Sequence, residues 1–205
     1  EGDDESIGHG LSKPPEMMIS KVRGEHWTWA VYHKFLGTDV QLLLSETTGH
    51  ENSTNTDVWA DTAPTSSVFY VGNYLYTNSD SREYIGYLFH SVDGFSKVTS
   101  YIGNGSADGT YVHLGFRAMW IMVKRTDANG NSWAILDTKR NTLNPMSRDI
   151  AADSTAAEYN RTTIHTDVTA NGIKFRGTNG WTNASGGEYI MLAFAETPFK
   201  FANSR

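Results

Sequence analysis

The chain has 205 residues, of which 39% are apolar and 20% charged, and its formal net charge is −6. Scattered Lys and Arg in an acidic chain disfavour nucleic acid as a partner, because phosphate neutralisation needs clustered cations. No apolar run approaches the length of a membrane span, so we expect no membrane insertion. The absence of cysteine excludes a disulfide framework, a thiolate zinc site and a cysteine nucleophile.

The predicted elements are almost all β-strands. Short apolar runs at 17–23 and 119–124 predict buried strands, and the segment 26–32 alternates so that Trp27 and Trp29 share one face. Further strands are predicted at 68–71, 84–89, 100–102, 110–114, 132–137 and 189–194. Because short strands alternate with Gly and Asn turns and helix signals are poor, the sequence predicts an all-β fold, an antiparallel β-sandwich of jelly-roll or lectin-like type.

The sequence contains an internal repeat. Three pairs of segments align, namely 9–21 with 112–124, 29–34 with 133–139, and 68–85 with 173–190 without a gap. We therefore predict two closely packed repeats, 1–99 and 100–205. The first repeat lacks its opening strand, because the shared offset places the partner of 100–102 before Glu1. This offset leads us to expect a natural protein that is longer at its N-terminus.

Tryptophans give the strongest candidates for ligand contact. Trp27 and Trp29 fit either a sugar-stacking platform or core packing, and the recurrence of Trp133 at the position of Trp29 favours core packing. Trp59 and Trp181 lie in turn-rich segments among Asn, Asp and Ser, a composition typical of glycan sites, where a ring stacks on a sugar and amides bind its hydroxyls. An interface role for these two rings is an equal alternative. The predicted glycan-binding residues are Trp59, Asp61, Tyr76, Asn78, Trp181 and Asn183.

Patterns for catalysis or metal binding are weak. The seven histidines are dispersed and are predicted to be ordinary polar surface residues. Asp127–Asn131 resembles a shortened calcium loop, but it lacks the following Gly and the distal Glu, and its Asn129–Gly130 pair predicts a hairpin turn instead. No spacing among the many acidic residues selects a glycosidase pair. We therefore predict no catalytic residue, no metal site and no cofactor.

Several longer motifs resemble an uncharacterised β-rich domain family of bacteriophage tail-fibre and tail-spike-like proteins, many of them from marine phages. The resemblance covers 9–200, and its most specific pieces are YIGNGSADG followed by GFRAMWIMVKRTD, and the closing AFAETPFK. It implies a module on the virion surface, hence extracellular, that adheres to a host-cell glycan and assembles with other fibre chains, commonly as a homotrimer. It carries over no catalytic residues.

Three functions remain open at this point. The first is a receptor-binding module that attaches to a host polysaccharide without catalysis. The second is a structural virion or filament subunit with no ligand site, in which the loop aromatics are buried between chains. The third is a polysaccharide depolymerase, which requires a deep cleft with two carboxylates at catalytic separation.

Overall fold

The structure is a computed structural model that describes residues 4–52 and 58–198 of the chain. Over these residues it consists of strands, turns and loops without any helix, and neighbouring strands pair antiparallel. The all-β prediction is therefore confirmed. Within the same two ranges, no helix is present that is long and apolar enough to cross a membrane.

The chain forms two compact units, Glu1–His90 and Ser91–Arg205. The predicted division between 99 and 100 falls inside a strand of the second unit, Ser96–Ile102. All of this strand belongs to the second unit, because it pairs along its length with the last strand of that unit, Glu188–Ala195.

Within 4–52 and 58–90, the first unit contains seven strands in two sheets. They are β1 (Glu5–Gly8), β2 (Met17–Val22), β3 (Ala30–His33), β4 (Val40–Leu43), β5 (Glu51–Asn52), β6 (Val68–Val71) and β7 (Tyr84–Phe89). One sheet has the order β5-β4-β3-β2-β7, and the other pairs β1 with β6.

In its described part, 91–198, the second unit contains nine strands, also in two sheets. They are β8 (Ser96–Ile102), β9 (Tyr111–His113), β10 (Ala118–Arg125), β11 (Ala134–Asp137), β12 (Arg148–Ala151), β13 (Tyr159–Asn160), β14 (Thr166–Thr169), β15 (Gly172–Phe175) and β16 (Glu188–Ala195). One sheet has the order β13-β12-β11-β10-β16-β8, and the other has the order β14-β15-β9.

The strand orders of the two units correspond. The order β5-β4-β3-β2-β7 reappears as β13-β12-β11-β10-β16, and the pair β1-β6 reappears as β9-β15. The second unit adds β8 at the edge of its larger sheet and β14 at the edge of its smaller one. The predicted repeat requires such a correspondence, although descent of both units from one ancestor stays a prediction.

Each unit has its own core between its two sheets. In the second unit, Ile173 and Phe175 of β15 belong to the same buried cluster as Ile121 of β10 and Tyr189 of β16. In the first unit, side chains of β2, β3 and β6 pack together with Trp59. Removal of these apolar faces from water is the main stabilising contribution of such a layered arrangement, and the predicted β-sandwich is confirmed.

Candidate functional site

An exposed aromatic surface lies on the first unit. Trp27 and Tyr87 are each 43% exposed, whereas Trp29 is half-buried. The rings of Trp29 and Tyr87 stack, with 6.3 Å between centroids and 23° between planes. Trp27 and Trp29 come from the segment between β2 and β3, and Tyr87 comes from β7. We call Trp27, Trp29 and Tyr87 the aromatic surface.

This exposure corrects the core-packing interpretation of Trp27. The interpretation rested on Trp133, which is indeed buried, with 1% of its surface exposed. In the first unit the corresponding segment leaves Trp27 exposed and Trp29 only half-buried. A ring that keeps nearly half of its area in water can still contact a ligand, which a core ring cannot.

Polar side chains fix the position of Trp27. Its Nε1 donates a 2.6 Å hydrogen bond to Glu25 Oε2, and Arg82 Nε donates to Glu25 Oε1 over 2.8 Å. The hydrogen bond from Trp27, followed by that from Arg82, lowers the pKa of the Glu25 carboxyl below its usual value. Lys21 Nζ also donates to the backbone oxygen of Glu25 over 2.6 Å. Because Glu25 is ionised and held on several sides, the Trp27 ring is orientated before any ligand arrives.

A shallow groove adjoins the ring. Its volume is about 380 Å³, and Gly24, Glu25, His26 and Trp27 line it. An indole provides an apolar surface of the kind on which the C–H face of a sugar packs, while the carboxylate of Glu25 accepts hydrogen bonds from hydroxyl groups. The groove therefore combines the two contact types that a polyhydroxylated ligand needs.

The glycan-binding residues predicted in the first unit do not form an open site. Trp59 is 1% exposed and lies edge-to-face against Tyr32, with 5.8 Å between centroids. Tyr76 packs against the same core cluster, whereas Asp61 is exposed and accepts a 2.9 Å hydrogen bond from Thr38. Asn78 is half-buried. The structure thus brings Trp59 and Tyr76 together, but as core residues without a surface for a sugar.

The predicted residues of the second unit are also engaged within the protein. The Arg161 guanidinium lies 3.7 Å from the Trp181 ring centroid and 3.8 Å from that of Tyr159. Trp181 also packs against the core cluster of its unit. Arg161 and the core therefore occupy the surface that Trp181 was expected to offer to a sugar.

Asn183 is fully buried, and its amide binds the protein on every side. Its Nδ2 donates to Asn104 Oδ1 and to the backbone oxygens of Ser106 and Gly177, at 2.8 to 3.1 Å. Its Oδ1 accepts a 3.0 Å bond from the Asn104 backbone nitrogen. Because both N–H groups and the oxygen are used, the amide fixes the loop that follows β8 and has no donor left for a glycan.

A buried carboxylate lies beside the Arg161 side chain. Asp149 on β12 is 0% exposed, and Arg161 Nε lies 3.5 Å from its Oδ1. Among the described residues, neither oxygen of Asp149 has a hydrogen-bond partner. Burial raises the pKa of Asp149 to about 6, against the opposing charges of Arg161 and Arg140. No sequence pattern distinguishes Asp149 from the other acidic residues, because its burial follows only from its place on β12.

Histidines do not form a metal site. His33 is 1% exposed, so its assignment as a surface residue is wrong, and burial lowers its pKa to about 3, which leaves the ring neutral. Among the residues that the structure describes, no group of three or more His, Asp or Glu side chains is arranged to hold a metal ion.

Comparison with known proteins gives one match. The model of a family described as "Domain of unknown function (DUF7483)" matches residues 1–198. Neither the curated proteins nor the solved structures include a chain that matches this one.

Proposed function

The chain belongs to the DUF7483 family, and we propose that it is a bacteriophage tail-fibre module that attaches the virion to a host-cell polysaccharide without catalysis. Two observations support this proposal. The motifs of the sequence resemble tail-fibre and tail-spike-like proteins, and the first unit carries exposed rings beside a polar groove. The site of attachment in this proposal is the aromatic surface rather than Trp59 or Trp181.

The exposure of Trp27 is the observation that carries the proposal. A tryptophan that is 43% exposed, yet held by a 2.6 Å hydrogen bond to Glu25, keeps a hydrophobic ring in water at a fixed angle. Stacking of a sugar on this ring removes apolar area from water at about 25 cal/mol per Å². Little conformational entropy is lost on binding, because the ring is already orientated.

In this proposal, assembly of several chains into a fibre combines individually weak glycan contacts into firm attachment. A single sugar-stacking site gives millimolar binding, which corresponds to about 4 kcal/mol. A homotrimer presents three such sites on one virion fibre, and each additional contact forms at the high effective concentration set by the first. Attachment would then be firm although every site releases its sugar quickly.

The proposal is tested by measuring binding to a panel of purified bacterial surface polysaccharides. Trp27→Ala is expected to weaken binding roughly tenfold or more, as loss of an exposed aromatic anchor does. The matched control is Leu143→Ala, which removes an apolar side chain that is 80% exposed on the second unit. Equal binding by both variants would overturn the assignment of the site.

The same binding experiment distinguishes the two other functions. Shortening of the polysaccharide chains during incubation would indicate a depolymerase. Ile85, which is 41% exposed, lies two residues from Tyr87 on β7, and such apolar exposure also fits an interface between chains. If no polysaccharide binds and Trp27 becomes inaccessible to an aqueous quencher on assembly, the chain is a structural subunit.

A further inference from the structure

The two larger sheets differ at one edge. In the second unit, β16 lies between β10 and β8 and pairs with both. In the first unit, β7 pairs with β2, and within the described ranges 4–52 and 58–198 no strand pairs with its other edge. An edge strand leaves backbone N–H and C=O groups that can pair with another strand. Ile85, Gly86 and Tyr87 are all exposed along this edge.

The strand β8 contributes the Tyr101 side chain to the core of the second unit. The Tyr101 ring stacks on Tyr189, with 4.9 Å between centroids and 8° between planes, and on Phe175, with 4.7 Å and 19°. Its hydroxyl donates a 2.7 Å hydrogen bond to the backbone oxygen of Thr182. Only 8% of Tyr101 is exposed, so β8 closes the open side of the core with a tyrosine.

At the corresponding place the first unit has a cavity. Its volume is about 150 Å³, and its lining includes Trp59, Val71, Thr77, Tyr84, Gly86 and Leu88. Three of these residues match the neighbours of Tyr101. Tyr84 corresponds to Tyr189, Thr77 to Thr182, and Val71 to Phe175. A cavity of about 150 Å³ is large enough for one aromatic ring.

Two further details show that the described side chains of the first unit leave this cavity empty. Gly86 lies where β16 has Met191, and a Cβ atom on Gly86 would meet only Leu88 Cδ1, at 3.4 Å. Trp59, which lines the cavity, has a buried Nε1 for which the described residues provide no hydrogen-bond partner. A buried donor of this kind costs free energy unless an acceptor reaches it.

We propose that the β7 edge binds an extended, tyrosine-bearing strand of a partner protein that is not a second copy of this chain, and that the tyrosine of this strand fills the cavity. The strand runs antiparallel to β7, with its tyrosine opposite Tyr84, as Tyr101 lies opposite Tyr189. The ring packs between Tyr84 and Val71, and its hydroxyl donates to the backbone oxygen of Thr77. Backbone pairing along the residues 84–88 gives affinity, and the cavity selects the side chain. This proposal does not depend on polysaccharide binding.

The test uses the full chain and a synthetic peptide with the sequence SKVTSYIGNGSAD, which is that of β8 and its following turn. Binding of the fluorescently labelled peptide is measured by anisotropy. Replacement of the peptide tyrosine by alanine is expected to weaken binding roughly 30-fold, as the loss of a buried anchor does. A photoreactive benzoylphenylalanine in place of the tyrosine should crosslink to residues of the cavity, which mass spectrometry identifies.

Two protein variants complete the test. Gly86→Met fills the cavity with the side chain that β16 carries at this place, and it should abolish binding while the chain stays folded. Gly10→Met is the control, because a Cβ atom on Gly10 meets nothing within 4 Å. Absence of peptide binding, equal binding by both variants, or crosslinks outside the first unit would overturn the proposal. Self-association of the chain through β7, detected by sedimentation and lost in Gly86→Met, would overturn it as well, because a second copy would then be the occupant.

Discussion

The two units share a strand order but complete their cores differently. In the second unit β8 covers the outer edge of β16, and Tyr101 fills the space between Tyr189 and Phe175. In the first unit β7 is the last described strand of its sheet, and a cavity of about 150 Å³ lies beside Tyr84. The presence of β8 is therefore the difference between the filled core of the second unit and the partly unfilled core of the first.

The second unit also secures the loop that follows β8. In the second unit Asn183 binds Asn104 and Ser106 of this loop, so the added strand is secured at its end as well as along its length. The buried Asn183 amide stabilises this loop, because loss of a hydrogen bond to a buried polar group costs free energy. The differences between the units predict different responses to substitution.

The largest expected effect is that of Tyr101→Ala. Removal of a buried aromatic ring leaves a cavity and should lower the free energy of unfolding by about 4 kcal/mol. Amide hydrogen exchange should accelerate along β16 but not along β7, beside which none of the described residues supplies an equivalent ring. The control is Ile102→Ala on the same strand, because Ile102 is 56% exposed. Equal acceleration in both units would contradict the view that β8 completes only the second core.

A second prediction concerns Asp149, whose place on β12 matches that of Gln41 on β4. Folding raises the pKa of Asp149 from 3.8 to about 6, so the folded state retains this proton more strongly. The contribution of Asp149 to stability is therefore fully present below pH 3.8 and is lost as the pH rises through 6, by roughly 3 kcal/mol in total. Asp149→Asn should remove this decline, measured by urea unfolding at a series of pH values.

The matched variant for Asp149 is Gln41→Glu in the first unit. Gln41 is 5% exposed, so a carboxyl at this place would also be buried and should introduce a decline of the same sign. A wild-type decline that persists in Asp149→Asn would mean that another group titrates between pH 4 and 6.

Much of the fold could be predicted from the sequence. A short apolar run predicted a strand at 17–23, and a further strand was predicted at 84–89. The structure has β2 and β7 there. The ungapped alignment, however, placed Val68 on Ile173, whereas the inward side chain that corresponds to Ile173 is Phe69. A slip of one residue turns every side chain of a strand to the other face, and pairing partners decide that register.

Prediction of the site was less successful, because exposure depends on distant neighbours. The turn-rich composition around Trp59 favoured a surface ring, but the two sheets of the first unit enclose it. The alternation at 26–32 predicted a strand that includes Trp27, but β3 begins only at Ala30, and the pattern could not show that Trp27 lies exposed. Sequence periodicity identifies which residues share a face, whereas the packing of other segments determines whether that face is buried.

Asn183→Ala is expected to have the third largest effect. The substitution leaves the Asn104 backbone nitrogen and the oxygens of Ser106 and Gly177 without their partner, and should cost about 2 kcal/mol. Thermal unfolding measures this change, and hydrogen exchange should rise in the loop 104–106. Asn160→Ala, at an exposed amide, should cost much less. Similar costs for both variants would show that Asn183 does not secure the loop.

The smallest expected effect concerns a tyrosine that makes the same two hydrogen bonds in both units. The Tyr84 hydroxyl accepts a hydrogen bond from Ser79 and donates one to Leu75, both at 2.9 Å. The Tyr189 hydroxyl makes the corresponding bonds to Ala184 and Gly180, both at 2.8 Å. Tyr84→Phe and Tyr189→Phe should each lower the free energy of unfolding by about 1 kcal/mol, since one hydroxyl leaves two backbone groups unpaired in either case. Urea unfolding of the two variants should therefore give equal shifts, and a cost confined to Tyr189→Phe would mean that the open core of the first unit already lets water reach its loop.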